Sequence, residues 1–385
     1  MAEVSPFRGW RFNKDTVGDI ASVLCPPYDM IDEETQEALK RQSRYNVIHL
    51  EAGESLDWTT SAKEQYAAAS NLFDQWRQEE VLCQDAEPCY YLMRHSFPLG
   101  DKLMVRVGLI ASVGLEDYQT RQILPHEFTQ APAIQDRIWL MESLSANISP
   151  IMSIFRDTEG VLTQVFNKVM ADEPEFDATD DSNNRTVLWC ISDSDVHRQI
   201  SEFFAGRPIY LADGHHRYEA ARQYQLDRHA ENEAAKAPNL AHNYVMMTLI
   251  AFDDPGLVVL GYHRTLNAVP EDKLAKIKTK INELFDSAPL SGNSDSLIDQ
   301  VDAQGVNTQL LAAVDSDGSR MLRLKESAID PSWGALSASE AWVLEEKVLR
   351  PELGDATLEH LDFMHDHDAA VEQARKGELL SLIHI

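Results

Sequence analysis

Apolar positions recur along this chain at two spacings, one helical and one alternating. Tyr66, Ala69, Leu72, Phe73 and Trp76 fall at helical intervals and predict an amphipathic helix over residues 61–81. Residues 32–40 read as a shorter helix, with Asp32 as its cap and acidic residues in the first turn, where the dipole favours them. Between these two, residues 46–50 (NVIHL) read as a strand. Residues 89–115 read as two strands joined at Pro98-Leu99-Gly100-Asp101. Beyond them the pattern predicts strands at 151–155, 186–191, 208–212, 244–252 and 256–262. It predicts helices at 136–144, 161–170, 194–205 and from His216 onward, with 121–135 as a proline-containing loop.

After about residue 266 the texture changes. A basic amphipathic helix at 271–285, a hairpin formed by 308–314 and 321–325, and helices at 337–349 and 368–376 read as a small α/β unit. Two domains are expected, 1–265 and 266–385. The 385 residues suffice for both to have a core of their own.

Charge narrows the function classes. The chain has 34 basic and 63 acidic residues, a formal net of −29. Such a surface repels phosphate backbones and anionic lipid, so neither a nucleic acid nor a membrane is an expected partner. The four cysteines, Cys25, Cys83, Cys89 and Cys190, match no zinc spacing and read as reduced thiols. No basic and apolar leader opens the chain, and no apolar run approaches the roughly 20 residues of a membrane span. A cytoplasmic, soluble protein is the expectation.

Candidate chemistry concentrates at Asp213-Gly214-His215-His216-Arg217-Tyr218, where a strand gives way to a helix. The first turn of a helix attracts anions, and a glycine there lets a ligand approach the backbone. Arg217 offers a planar fork for phosphate oxygens, and His215 and His216 add donors. Asp213, just before the turn, could hold Mg²⁺ alongside phosphate oxygens. Together these residues read as a phosphate-and-metal cradle. His126-Glu127 sits in a loop after Pro125; Gln130 stands where a zincin helix would need its second histidine. A loop carboxylate such as Glu127 could serve as general base toward a hydroxyl. Tyr28 and Asp29 in the Pro26-Pro27-Tyr28-Asp29 turn are further candidates for lining a substrate pocket, as are His126, Arg137, Asn147, His263 and Arg264. For these, turn-forming and ion-pair roles compete. No GxxxxGK[ST], no GxGxxG after a strand and no GxSxG is present, so any nucleotide site is an unorthodox one.

The segment 212–221, ADGHHRYEAA, resembles the phosphate-binding turn of the ParB/sulfiredoxin-like superfamily. More of the chain resembles a bacterial family designated domain of unknown function 1015. That resemblance runs in order through Pro6-Phe7-Arg8-Gly9, Pro26-Pro27-Tyr28-Asp29, Tyr45-Asn46-Val47-Ile48, Leu124-Pro125-His126-Glu127, Asp136-Arg137, Ala146-Asn147-Ile148-Ser149-Pro150-Ile151, DGHHRYE and Asn243-Tyr244-Val245-Met246-Met247. The resemblance implies an α+β fold: a mixed-sheet ParB/sulfiredoxin-like core with insertions, and a smaller C-terminal α/β domain. The superfamily's free-serine kinases carry a similar Pro-His-Glu loop and Asp-Gly-His-His-Arg turn. By that likeness Glu127 and Asp213 become the catalytic candidates, with Gly214, His215, His216 and Arg217 holding the phosphates of ATP or ADP with Mg²⁺. The implied activity is phosphoryl transfer from a nucleotide to a small hydroxylated metabolite, a serine-like amino acid first in line. The alternatives are a non-catalytic nucleotide-binding switch and, last, a metal-dependent hydrolase using His215, His216 and Asp213 as ligands. One departure stands out: the family's closing Pro-Lys-Ser-Thr-like segment has no counterpart in residues 366–385.

Overall fold

The computed structural model describes residues 3–28, 31–52, 62–100, 102–127, 129, 131–258, 263–293, 296–297, 300, 310–354, 357–364, 366–376 and 379–384. They form two compact units, Met1–Leu257 and Val258–Ile385. The division falls ahead of the boundary expected at 266, because the strand His263–Asn267 pairs within the second unit.

The first unit opens with β1 (Val4–Ser5), β2 (Trp10–Phe12) and α1 (Lys14–Val17). Then come α2 (Glu33–Gln42), α3 (Ile48–Glu51), α4 (Ala62–Gln78) and β3 (Leu82–Gln84). Next are the long hairpin β4 (Tyr90–Leu99) and β5 (Lys102–Gly114), the short β6 (Ile123–Leu124), α5 (Ala131–Leu144) and β7 (Ile151–Phe155). The unit continues with α6 (Val161–Val169), β8 (Phe176–Thr179), β9 (Arg185–Ile191) and α7 (Ser194–Phe204). It closes with β10 (Ile209–Asp213), α8 (His215–Glu231) and β11 (Tyr244–Ala251).

The main sheet runs β6-β10-β7-β11-β5-β4-β9-β8, and β1 pairs with β5 at Val4↔Val113. Two neighbour pairs are parallel, β6 with β10 and β7 with β11, and the rest are antiparallel. The sheet is therefore mixed, and the protein is a mixed α/β fold. Alternation builds the core: Leu109, Ala111 and Val113 of β5 are buried, as are Tyr90 and Leu92 of β4 and Met247 and Leu249 of β11. Phe203 and Phe204 of α7 and Tyr218 and Ala221 of α8 pack into the same core. A second apolar cluster joins Tyr66, Phe73 and Trp76 of α4 to Leu140 and Leu144 of α5. Helix α5 also packs against α8.

Three sequence expectations change here. Residues 46–50 are not a strand. Asn46 is buried and donates to the carbonyls of Ser22 (2.9 Å) and Leu24 (2.8 Å), while its Oδ1 accepts from Ile48 N. That anchoring turns the chain into α3. Helix α5 begins at Ala131 rather than 136, because Pro132 in its first turn gives up no hydrogen bond the helix needs. Residues 256–258 form no strand, and 259–262 lie outside the described residues.

In the second unit, β12 (His263–Asn267), α9 (Glu271–Leu284), β13 (Phe285–Leu290), β14 (Leu310–Asp315), β15 (Gly318–Leu324), β16 (Leu361–Met364) and β17 (Leu379–His384) supply an antiparallel sheet of order β13-β15-β14-β17-β12-β16. Residues 337–349 are not one regular helix: a 3₁₀ stretch at Pro331–Ala338, an α-turn at Glu340–Val343 and a π-helix at Leu344–Leu349 follow one another. No helix among the described residues is long and apolar enough to cross a membrane.

Candidate active site

The parallel pairing of β6 and β10 creates the site. Ile209 lies opposite Ile123 and Tyr210 opposite Leu124, so both strands end on the same side. The loop Pro125-His126-Glu127 leaves the end of β6, and the turn Asp213-Gly214 leaves the end of β10. In open sheets, ligands bind beyond the carboxyl ends of parallel strands.

At this edge the two segments interlock through histidines. The backbone N–H of His126 donates to His215 Nε2 at 3.3 Å, and the two rings meet edge to face with centroids 4.5 Å apart. His126 Nδ1 donates to the carbonyl of Leu211 at 2.8 Å. His215 Nδ1 lies 3.4 Å from Glu127 Oε2. His215 is buried, and desolvation, with His126 and His216 adding to it against Asp213, pulls its pKa down to about 4. It is therefore neutral at neutral pH. With Nε2 accepting from His126, its one proton sits on Nδ1 and faces the Glu127 carboxylate. Glu127 itself is exposed, held at the rim by a buried partner.

Gly214 begins α8 in the left-handed region, φ +90°, with no side chain to cap the helix. Arg217 folds back over it: a Cβ on Gly214 would lie 2.8 Å from Arg217 Nε. Arg217 is buried, donates from Nη1 to the Pro150 carbonyl at 2.8 Å, and pairs through Nη2 with Asp213 Oδ2. Its Nε has no hydrogen-bond partner among the described residues. His216 follows His215 on the first turn of α8. Tyr218 fixes the helix from below, its hydroxyl accepting from Glu116 N (3.0 Å) and donating to Glu116 O (2.9 Å).

The structure thus brings Glu127, His126, Asp213, Gly214, His215, His216 and Arg217 to one edge of the sheet. Tyr28 and Arg137 join from another direction: the Tyr28 ring lies 4.0 Å from the Arg137 guanidinium and 5.9 Å from that of Arg217. Asn147 lines a cleft with Arg137 and Arg217. Arg137 does pair with Asp136, but inside α5, which begins at Ala131, and it is buried there. His263 and Arg264 lie on β12 of the second unit; Arg264 sits 4.0 Å from Glu345. Asp29 lies outside the described residues. Sequence reasoning missed Glu51, buried beside Arg137, because the expected strand over 46–50 gave its end no reason to point inward.

Among the described residues, the side chains that could together hold a metal ion are His126, Glu127 and His215, with ligand atoms within 4.8 Å of one another. Asp213 is not among them, so the set differs from both metal proposals drawn from the sequence. The hydrogen bonds also weigh against ligation by His215. Its Nε2 lone pair is used by the His126 N–H, and its Nδ1 then carries a proton.

A mixed α/β protein with a histidine-linked loop and turn at the ends of parallel strands is the class this geometry defines. A family model described as "Protein of unknown function (DUF1015)" matches residues 4–341, and the chain belongs to that family. No curated protein and no solved structure matches the chain.

Proposed function

We propose that the first unit is a phosphotransferase that moves a phosphoryl group from ATP or ADP to a small hydroxylated metabolite, a serine-like amino acid favoured. A ParB/sulfiredoxin-like identity for its core belongs to the same reading. The observation that carries it is the 3.4 Å approach of Glu127 to His215, which places a loop carboxylate beside the helix-start turn.

The donor set fits a nucleotide's phosphates. The positive end of α8 begins at Gly214, and the buried Arg217 folds over that glycine with an Nε that has no partner among the described residues. Gly214, His215, His216 and Arg217 would hold the phosphates, and Asp213 would hold Mg²⁺. The bound nucleotide supplies the transferable phosphoryl group, and the cation offsets its charge. Glu127 would orient the acceptor hydroxyl and take its proton, with His215 Nδ1–H steadying the carboxylate. His126 positions His215 through its backbone N–H. Neutral His215 adds no positive charge that would tie Glu127 into a fixed ion pair. Charge placement and orientation supply the acceleration in such a site.

A coupled assay of ATP and ADP against hydroxylated amino acids and sugars tests this reading. Turnover on at least one acceptor, lost in Glu127→Gln with nucleotide affinity kept, supports it. Nucleotide binding without turnover on any acceptor supports a non-catalytic switch instead. Stoichiometric zinc or iron that survives purification against a chelator would support the metal-dependent hydrolase.

A further inference from the structure

The first unit holds a second polar cluster that the chemistry above leaves unassigned. Arg137 is buried and faces two carboxylates: its Nε donates to Asp136 Oδ2 at 2.8 Å and its Nη1 to Glu51 Oε1 at 3.0 Å. Tyr66 closes the ring, accepting from Arg137 Nη2 at 3.0 Å and donating to Asp136 Oδ1 at 2.8 Å. The Tyr28 ring covers the guanidinium. Burial keeps Tyr66 protonated, and burial followed by the nearby Glu51 pushes the Cys25 thiol up to about 12, so neither adds charge. Two anions therefore share one cation, a buried excess of one negative charge. Arg217 does not offset it, since it is already paired with Asp213.

One atom shows where the imbalance points. Glu51 is 1% exposed, and its Oε2 has no hydrogen-bond partner among the described residues. A buried carboxylate oxygen left unpaired is costly. Glu51 lines the cleft that Arg137, Asn147 and Arg217 also line, over an apolar floor of Leu140 and Met141. The cleft is partly open, and the centre of a water-sized group can reach about 30 Å³ of it, which is room for a water molecule or an ammonium group. Water would satisfy the hydrogen bond and leave the charge uncompensated. A primary ammonium group satisfies both.

We propose that this cleft is a subsite for a primary ammonium group held by Glu51 Oε2, so that the small molecule bound here is an amine. Its role as the phosphoryl acceptor rests on the phosphotransferase reading, whereas the subsite itself rests on the charge count. Titration calorimetry of the full chain with L-serine, ethanolamine and glycerate tests it. L-serine and ethanolamine carry the amine, and glycerate replaces it with a hydroxyl. The first two are expected to bind and glycerate to bind at least 10-fold more weakly. Glu51→Gln keeps the size and the Oε1 contact to Arg137 and is expected to weaken amine binding at least 10-fold. Equal binding of L-serine and glycerate, no binding of either amine, or unchanged affinity in a folded Glu51→Gln variant would overturn the subsite and leave water as the occupant. Should that variant not fold, the wild-type comparison of L-serine with glycerate decides alone. The two readings fail separately. Phosphoryl transfer to glycerate as fast as to L-serine removes the subsite and keeps the kinase. Amine binding that needs Glu51, without transfer from any nucleotide, keeps the subsite and removes the kinase.

Discussion

At Gly214 the backbone takes φ +90°, and the space a side chain would fill is occupied by Arg217. Gly214→Ala is therefore expected to cost more than about 1 kcal/mol in urea unfolding, because alanine must enter a region it disfavours. The same change should displace the guanidinium and weaken nucleotide binding; unchanged stability and affinity would contradict this geometry. At Glu127 the expectation is chemical. Glu127→Gln should lower turnover by roughly 10²–10⁴-fold, the usual worth of a positioned base, with the melting temperature unchanged. His215 makes a pH prediction. Its folded pKa, about 4, lies below the ordinary 6.5, so between these values the unfolded chain binds a proton that the folded chain does not. Its contribution is complete above pH 6.5 and is lost as the pH falls toward 4, by roughly 3 kcal/mol at most. His215→Asn should flatten the dependence of stability on pH across that window; an unchanged slope would show that the imidazole is not held neutral. At this scale the sequence was informative. Asp213 to Arg217 and His126-Glu127 stand out by residue type alone, whereas nothing local to Glu51 marks it as buried opposite Arg137.

Among the elements, β6 decides the site, and it is two residues long. No periodicity can identify so short a strand, so 121–135 reads as a loop, and the parallel alignment that joins Glu127 to the turn is invisible in the sequence. The β4–β5 hairpin was legible from its turn residues and alternation, although Pro98 and Leu99, expected in the turn, pair with Leu103 and Lys102 as the end of β4. The strand reading of 46–50 failed where Asn46 side-chain bonds to Ser22 and Leu24 outweigh the β-branched composition. Helix α8 is set at its start by Gly214 and fastened by the Tyr218 hydroxyl to both backbone groups of Glu116. Tyr218→Phe removes both bonds and should destabilise the chain by about 1–3 kcal/mol in urea unfolding. A difference near zero would mean that α8 is held by its apolar face alone.

For the molecule as a whole, two units were legible from the change in texture, but the boundary was not. His263–Asn267 reads as the end of the first unit until its pairing with β16 and β17 is known. The charge of −29 makes a prediction of its own. Self-repulsion should be screened by salt, so the melting temperature should rise between about 10 mM and 0.5 M sodium chloride; a flat or falling trend would mean that the acidic residues are largely compensated by local pairs. The family match covers residues 4–341 and so includes every candidate residue, yet its description names no activity. The proposed activity requires that Arg217 and Gly214 form an anion clamp beside Glu127. Calorimetric titration of ADP and ATP with Mg²⁺ into the full chain tests it most directly. Binding to wild type, a loss of at least 100-fold in Arg217→Met and unchanged affinity in Glu127→Gln are expected; binding to Arg217→Met as tight as to wild type would contradict the clamp.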